Sequence, residues 1–498
     1  MLLPRSSGVL LHPTALPGPH GIGSIGAEAR TFIDFLATAG QHVWQMLPLG
    51  PTGLGDSPYN ALSAFAGNPL LIDLSTLVAW GDLNPVDLDG GPPSDGPIDF
   101  PAAHRFKESR LVRAAANFLA QADRRRREDL ARFCAEQSSW LDDYALFVAL
   151  RSHFHGTSWQ QWPAPLRQRD SATLDAWRGQ LTGAIGVEQY RQYCFFTQWA
   201  ALKDYANRQG IRLFGDLPIF VALDSADVWA HQDLFRLDPQ GHPTVVAGVP
   251  PDYFSDTGQL WGNPLYRWEA HGADDFSWWR RRLQAELQRA DLVRIDHFRG
   301  LEACWAIPAQ ATTAVNGQWE KSPGAQLCQA LQTVAHELPI VAEDLGVITP
   351  EVEALRREFG FPGMKILQFA FDSGPTNPYL PHNYDSNCVV YTGTHDNATT
   401  RGWWESLTTR QRARVGAYLG KHHPEIPWDL IRLAMASVAG LCIVPCQDLL
   451  GLGDAARFNR PGIGAGNWRW RLEPGQLTPE LAGRLRDLAQ LYGRRPSP

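Results

Sequence analysis

The sequence predicts a (β/α)8 barrel that carries large insertions after its strands. Eight short apolar runs rich in β-branched residues alternate with stretches of helical pattern, as parallel strands joined by crossover helices require. The chain has 498 residues, whereas a minimal barrel needs only about 250, so much of it must lie in insertions. Three of the runs end in carboxylates, at the strand ends where a barrel builds its active site.

Taken in order, the first two runs cover residues 9–11 and 43–49, and residues 1–84 read as the first part of the barrel. Residues 85–185 start in a stretch rich in Pro, Gly and Asp and continue as Arg-, Gln- and Trp-rich helical sequence, which predicts a largely helical insertion subdomain. A third run at 213–221 returns to the barrel, giving a segment 186–221. Residues 222–272 contain Gly248-Val249-Pro250-Pro251-Asp252-Tyr253-Phe254 and Trp261-Gly262-Asn263-Pro264, too rich in Pro and Gly for a helix. That segment predicts an insertion whose loop covers the substrate.

The remaining runs, at 292–298, 340–342, 365–371, 389–392 and 441–444, place residues 273–498 in the rest of the barrel. Thr349-Pro350-Glu351 marks a helix start, an N-cap followed by proline at the first helical position, with Val352, Leu355 and Phe359 on one face and Gly360 at the end. Thr478-Pro479-Glu480 repeats the device and opens a final helix with Leu481, Leu485, Leu488 and Tyr492 on one stripe.

A net charge of -7 and a pI near 6.1 leave no electrostatic footprint for nucleic acid or an anionic membrane. The start lacks the pattern of a signal peptide, and no run of eighteen apolar residues occurs, so a cytoplasmic protein is expected. Seven scattered cysteines suit reduced thiols in a core; Cys442 and Cys446 have no second pair to complete a zinc site. Nineteen tryptophans are the compositional outlier: most must be core, but flat aromatic faces also pack against sugar rings.

The chemistry is carried by Arg294-Ile295-Asp296-His297-Phe298-Arg299-Gly300, Val341-Ala342-Glu343-Asp344 and Tyr391-Thr392-Gly393-Thr394-His395-Asp396-Asn397. Side chains alternate along a strand, so Arg294 and Asp296 point to the same side, and a guanidinium beside a carboxylate favours its ionised form. A Glu at the end of the next strand would face Asp296, whose negative charge raises its pKa as a general acid needs. Asp396 adds a third carboxylate, as glycosidic bond cleavage uses. His297 and His395 adjoin acids, but no HExxH appears and no metal or other cofactor is expected; hydrogen bonding of a sugar suits His395 better.

Across nearly its whole length the chain resembles the amylomaltase (disproportionating enzyme) family of 4-α-glucanotransferases in the α-amylase clan. The resemblance rests on Asp56-Ser57-Pro58-Tyr59, Phe65-Ala66-Gly67-Asn68-Pro69, Gly215-Asp216-Leu217-Pro218-Ile219, Val246 to Phe254, Trp261 to Tyr266, the three acidic motifs, Asn459-Arg460-Pro461 and Gly466-Asn467-Trp468. It implies Asp296 as nucleophile, Glu343 as acid/base and Asp396 as transition-state stabiliser, with Arg294 and His395 supporting the reacting sugar. It further implies Tyr59 stacking on that sugar, Trp261 on an acceptor-side loop, and Asp216, Asp252 and Asn467 lining the groove. The expected activity is retaining transfer of a 1,4-α-glucan segment to the 4-hydroxyl of another glucan or glucose, with maltooligosaccharides as substrates. Two rivals remain: a retaining hydrolase with the same residues, and a non-catalytic glucan-binding protein. About fifty residues follow the last strand, too few for the C-terminal β-domain usual in α-amylases.

Overall fold

The computed structural model describes residues 5–251 and 255–494. Twelve strands occur among them: β1 (Ser6–Leu10), β2 (Val43–Gln45), β3 (Arg212–Pro218), β4 (Val245–Val249), β5 (Gln259–Pro264), β6 (Leu292–Asp296), β7 (Ala303–Pro308), β8 (Gln318–Lys321), β9 (Ile340–Ala342), β10 (Gly363–Ile366), β11 (Cys388–Tyr391) and β12 (Leu441–Pro445). Eight are parallel, in the order β10-β11-β12-β1-β2-β3-β6-β9. The Ala342 amide donates to the Pro362 carbonyl at 2.8 Å, drawing β9 to the start of β10 and closing the barrel. All eight predicted runs supply a barrel strand. Largely buried on both sides, these strands read mostly as apolar runs, because helices cover the sheet outside and side chains fill it inside.

The helices start where the sequence marks them. Thr478 accepts from the Leu481 amide at 3.2 Å ahead of the helix Pro479–Leu491, whose Leu485 and Leu488 are buried and which packs on the helix Ala27–Thr38. Beyond it the buried Arg494 donates to Ser6 O at 3.0 Å and Met435 O at 2.7 Å, fastening the segment after this helix to the base of β1. Pro350–Glu358 likewise buries Val352 and Leu355, and Gly360 takes φ +66°, the left-handed conformation that ends a helix without a Cβ clash.

Between β2 and β3 the chain builds helices that include Phe100–Gln121, Arg124–Glu136, Ser138–His153 and Thr182–Arg208. Lys107 is buried on the first and donates to Leu70 O and Ile72 O, capping carbonyls of the loop that follows β2. The segment after β3 holds more regular structure than its Pro and Gly content predicts. β4 and β5 pair antiparallel and join β7 and β8, which follow β6, in a four-stranded sheet of order β5-β4-β7-β8. Between β12 and residue 494 the described residues contain no strand, and none of the described helices is long and apolar enough to cross a membrane.

Candidate active site

The barrel register sets the first group. Asp216 on β3 lies opposite Arg294 on β6, with Asp296 two residues further along the same strand. Arg294 is buried and spreads its guanidinium between them: Nη1 donates to Asp216 Oδ2 at 2.6 Å and Nη2 to Asp296 Oδ1 at 2.5 Å. Burial works against its charge, but the two carboxylates more than compensate and hold its pKa well above the ordinary arginine value. The Tyr59 hydroxyl donates to the same Asp216 Oδ2 at 2.7 Å. Burial raises the pKa of Asp216, and the Arg294 charge opposes that rise.

Glu343 follows β9 and is laced to the end of β6. Its amide donates to Ile295 O at 3.1 Å, and its carbonyl accepts from the Phe298 amide at 3.1 Å. His297, the residue after Asp296, takes the left-handed conformation at φ 55°, which turns its N–H towards Glu343 Oε2 at 2.7 Å. The Leu345 amide donates to Oε1 at 2.9 Å, so a backbone donor fixes each carboxyl oxygen. Burial raises the Glu343 pKa from 4.5 to about 7; Arg294 opposes this, and the Asp296 charge adds to it. The carboxyl is therefore poised to carry a proton near neutrality. Its neighbour Asp344 is spent on structure, accepting from the Met364 amide at 2.7 Å and pairing with Arg356.

The third acid stands in the loop after β11. Asp396 Oδ2 lies 3.3 Å from His395 Nε2, and Oδ1 accepts from Asn459 Nδ2 at 2.6 Å. Burial lowers the His395 pKa, keeping the ring neutral, and that ring stacks on Tyr59 with centroids 5.2 Å apart and planes at 13°. A continuous path of contacts thus runs from Asp396 through His395, Tyr59, Asp216 and Arg294 to Asp296, and through the His297 amide to Glu343. A cleft opens beside Tyr59 and Asp216, lined also by Leu49, Pro58, Leu217 and Phe220.

Trp261, on β5, is 38 % exposed and meets the His297 ring edge-on at 4.8 Å, which brings the inserted sheet against the end of β6. Asn467 is occupied within its own loop: Oδ1 accepts from the Arg460 amide at 3.0 Å, and Nδ2 donates to Ile463 O at 2.8 Å. Asp252, with Tyr253 and Phe254, lies outside the described residues. Among the described residues no three His, Cys, Asp or Glu side chains are grouped so as to hold a metal ion.

Four contributors escape the sequence reading. Asn459 and Arg457 hold Asp396 by its side chain and its carbonyl, and the Asn459 amide also donates to His395 O at 3.2 Å. Asn459 opens the motif Asn459-Arg460-Pro461, which was its only signal. Trp468 packs beneath Tyr59 and His395, with ring centroids 6.1 Å from each. The His297 amide has no signal at all, because every residue but proline has an N–H.

Comparison with known proteins places this geometry in context. Residues 11–478 match the sequence profile described as 4-alpha-glucanotransferase. The chain is 53 % identical to the 4-alpha-glucanotransferase of Thermus thermophilus, over 99 % of this chain and 100 % of that one, and 52 % identical to the enzyme of the same description from a Synechocystis strain, over 99 % of each. Among solved structures it superposes on the amylomaltase from Streptococcus agalactiae in complex with acarbose with a TM-score of 0.95 at 40 % identity, covering 98 % of this chain and 99 % of that one.

Proposed function

The chain belongs to the 4-alpha-glucanotransferase family, and on that premise we propose that its barrel mouth breaks and re-forms α-1,4-glucosidic bonds with retention, through a glycosyl-enzyme on Asp296. Asp296, salt-bridged to Arg294, attacks the anomeric carbon of a bound maltooligosaccharide. Glu343 gives its proton to the departing glycosidic oxygen, so the aglycone leaves as a neutral sugar. The emptied carboxylate then takes the proton from the 4-hydroxyl of an incoming glucan, whose oxygen displaces Asp296 from the anomeric carbon and restores both residues.

The observation that carries this reading is the pair Asp296 and Glu343: one carboxylate bound by a guanidinium, the next raised by burial and held by two backbone amides. A carboxylate held by a cation beside a carboxyl that burial keeps protonated is what acid-assisted nucleophilic displacement needs. Asp396, fixed by His395 and Asn459, stabilises the charge that develops on the sugar, and Tyr59 supplies an aromatic wall beneath it. Trp261 shields the acceptor side from water, with Asp216 and Asn467 lining the groove. Preference for a sugar over water follows from acceptor binding and from that cover.

Incubation with pure maltotriose tests the proposal. Transfer gives glucose together with a ladder of longer maltooligosaccharides; glucose and maltose without a ladder would overturn it.

A further inference from the structure

One buried carboxylate closes both ends of the loop that presents His395 and Asp396. Asp448 stands in the short helix Cys446–Leu449 that follows β12 and is 1 % exposed. Its Oδ2 accepts from the Thr392 hydroxyl at 2.5 Å and from the Thr400 hydroxyl at 2.6 Å, and its Oδ1 accepts from the Thr400 amide at 2.8 Å. Thr392 is the residue after β11, and Thr400 opens the helix Thr400–Ser406. The three bonds therefore pin the point where the loop leaves the strand and the point where it enters the helix. The amide they use is one of the donors that a helix start leaves without a backbone partner.

Between those points the loop is braced by side chains. Asn397 Oδ1 accepts from the Thr394 amide and hydroxyl, both at 2.8 Å, and Gln368 Nε2 donates to Ala398 O at 2.9 Å. A cleft runs between the loop and the Asp448 helix, with Thr394, His395 and Asn397 on one side and Gln447 and Asp448 on the other. A loop laid over a cleft does not take its course from close packing on that side, so its course follows from these ties.

We propose that Asp448 is a positioning residue for the transfer reaction: by holding Thr392 and Thr400 to one carboxylate, it sets where Asp396 meets the reacting sugar. The inference rests on the role given above to Asp396 and extends it to a residue that acts through the loop ends. Asn459 and Arg457 fix the Asp396 side chain and carbonyl from a neighbouring loop, whereas Asp448 fixes the backbone frame that carries them. Such a frame matters because a displacement of about 1 Å at a catalytic group costs roughly 10²-fold in rate.

A double-mutant cycle with Asp396 tests this, read as kcat and KM per folded molecule with a maltosyl fluoride donor and a maltotriose acceptor. Asp448→Ala removes all three bonds, and kcat should fall by roughly 10- to 100-fold with little change in KM. Asp448→Asn keeps an acceptor for the Thr400 amide and an NH2 that can donate to both hydroxyls, so it should recover part of the loss. In Asp396→Asn, where the group to be positioned is already disabled, Asp448→Ala should cost little more. The same fold loss in both backgrounds, or a lowered melting temperature with kcat intact, would make Asp448 merely structural and overturn the proposal. If Asp448→Ala does not fold, Thr400→Val, which removes one hydroxyl, is read by the same cycle and the same criteria. Asp396→Asn alone separates the two ideas: full activity there would strike the role of Asp396 and this proposal with it, whereas a large loss combined with additivity would strike the proposal only.

Discussion

The amide of His297 donates to Glu343 Oε2 at 2.7 Å, so the residue that follows Asp296 in the chain is the one that orients Glu343. One backbone turn in the left-handed region thereby fixes two carboxyls against each other. Glu343 must be protonated to act as an acid. Its raised pKa keeps the proton on below about 7, and the proton is lost as pH rises through that value. The alkaline limb of kcat/KM for transfer should therefore fall near pH 7. In Asp296→Asn the like charge is gone, so Glu343 should titrate at lower pH, read from its carboxyl signal by isotope-edited infrared or NMR. A value that does not fall would contradict the contribution of Asp296.

Arg294→Lys keeps a positive charge but loses the planar fork that reaches Asp216 and Asp296 together. We expect kcat to drop by roughly 10²-fold or more, since a charged donor aimed at reacting groups is worth that much. Steady-state transfer rates on maltotriose check it; retention of more than half the activity would show that the fork is dispensable.

Asn459→Asp replaces a donor to Asp396 Oδ1 with a second carboxylate of nearly equal volume. Two acids that share one site hold a proton to higher pH. The acidic limb of kcat should move up by about one unit or more, whereas Asn459→Ala should lower kcat without moving the limb. A profile of Asn459→Asp that superposes on wild type would remove Asn459 from the positioning of Asp396.

Stability should fall in acid through buried neutral histidines. Burial lowers the pKa of His271, packed among Tyr266, Trp268 and Trp278, from 6.5 to about 4. A depressed pKa contributes stability that is present above 6.5 and is lost as pH falls towards 4, by up to about 1.4 kcal/mol per unit. His12 and His20 behave likewise, lowered by burial to about 3 and about 4. Denaturant titrations at pH 7 and pH 5 should show a smaller acid loss in His271→Phe than in wild type; an equal loss would assign it elsewhere.

Most of the barrel was legible because each strand is a short local pattern. The ends of the runs were not: residues 365–371 read as one strand, but pairing stops at Ile366 and the chain turns through Leu367–Phe369. The four-stranded sheet was invisible for a different reason. Gln318-Trp319-Glu320-Lys321 has no apolar run, and β4 meets β7 across a long stretch of chain, so only tertiary pairing makes them strands. The site divides similarly. Asp296, Glu343 and Asp396 stand out as charges that end apolar runs, whereas the hold of Asn459 on Asp396 depends on two loops meeting in space.

The assignment of Asp296 is tested most directly by trapping the glycosyl-enzyme. In Glu343→Gln, a maltosyl donor with a leaving group that needs no acid should still react, while hydrolysis and transfer, which need the base, stall. Mass spectrometry of the digested protein should then find the sugar on Asp296, and none on Asp296→Asn treated in the same way. A label mapped to Asp216, Asp396 or any other residue would contradict the account.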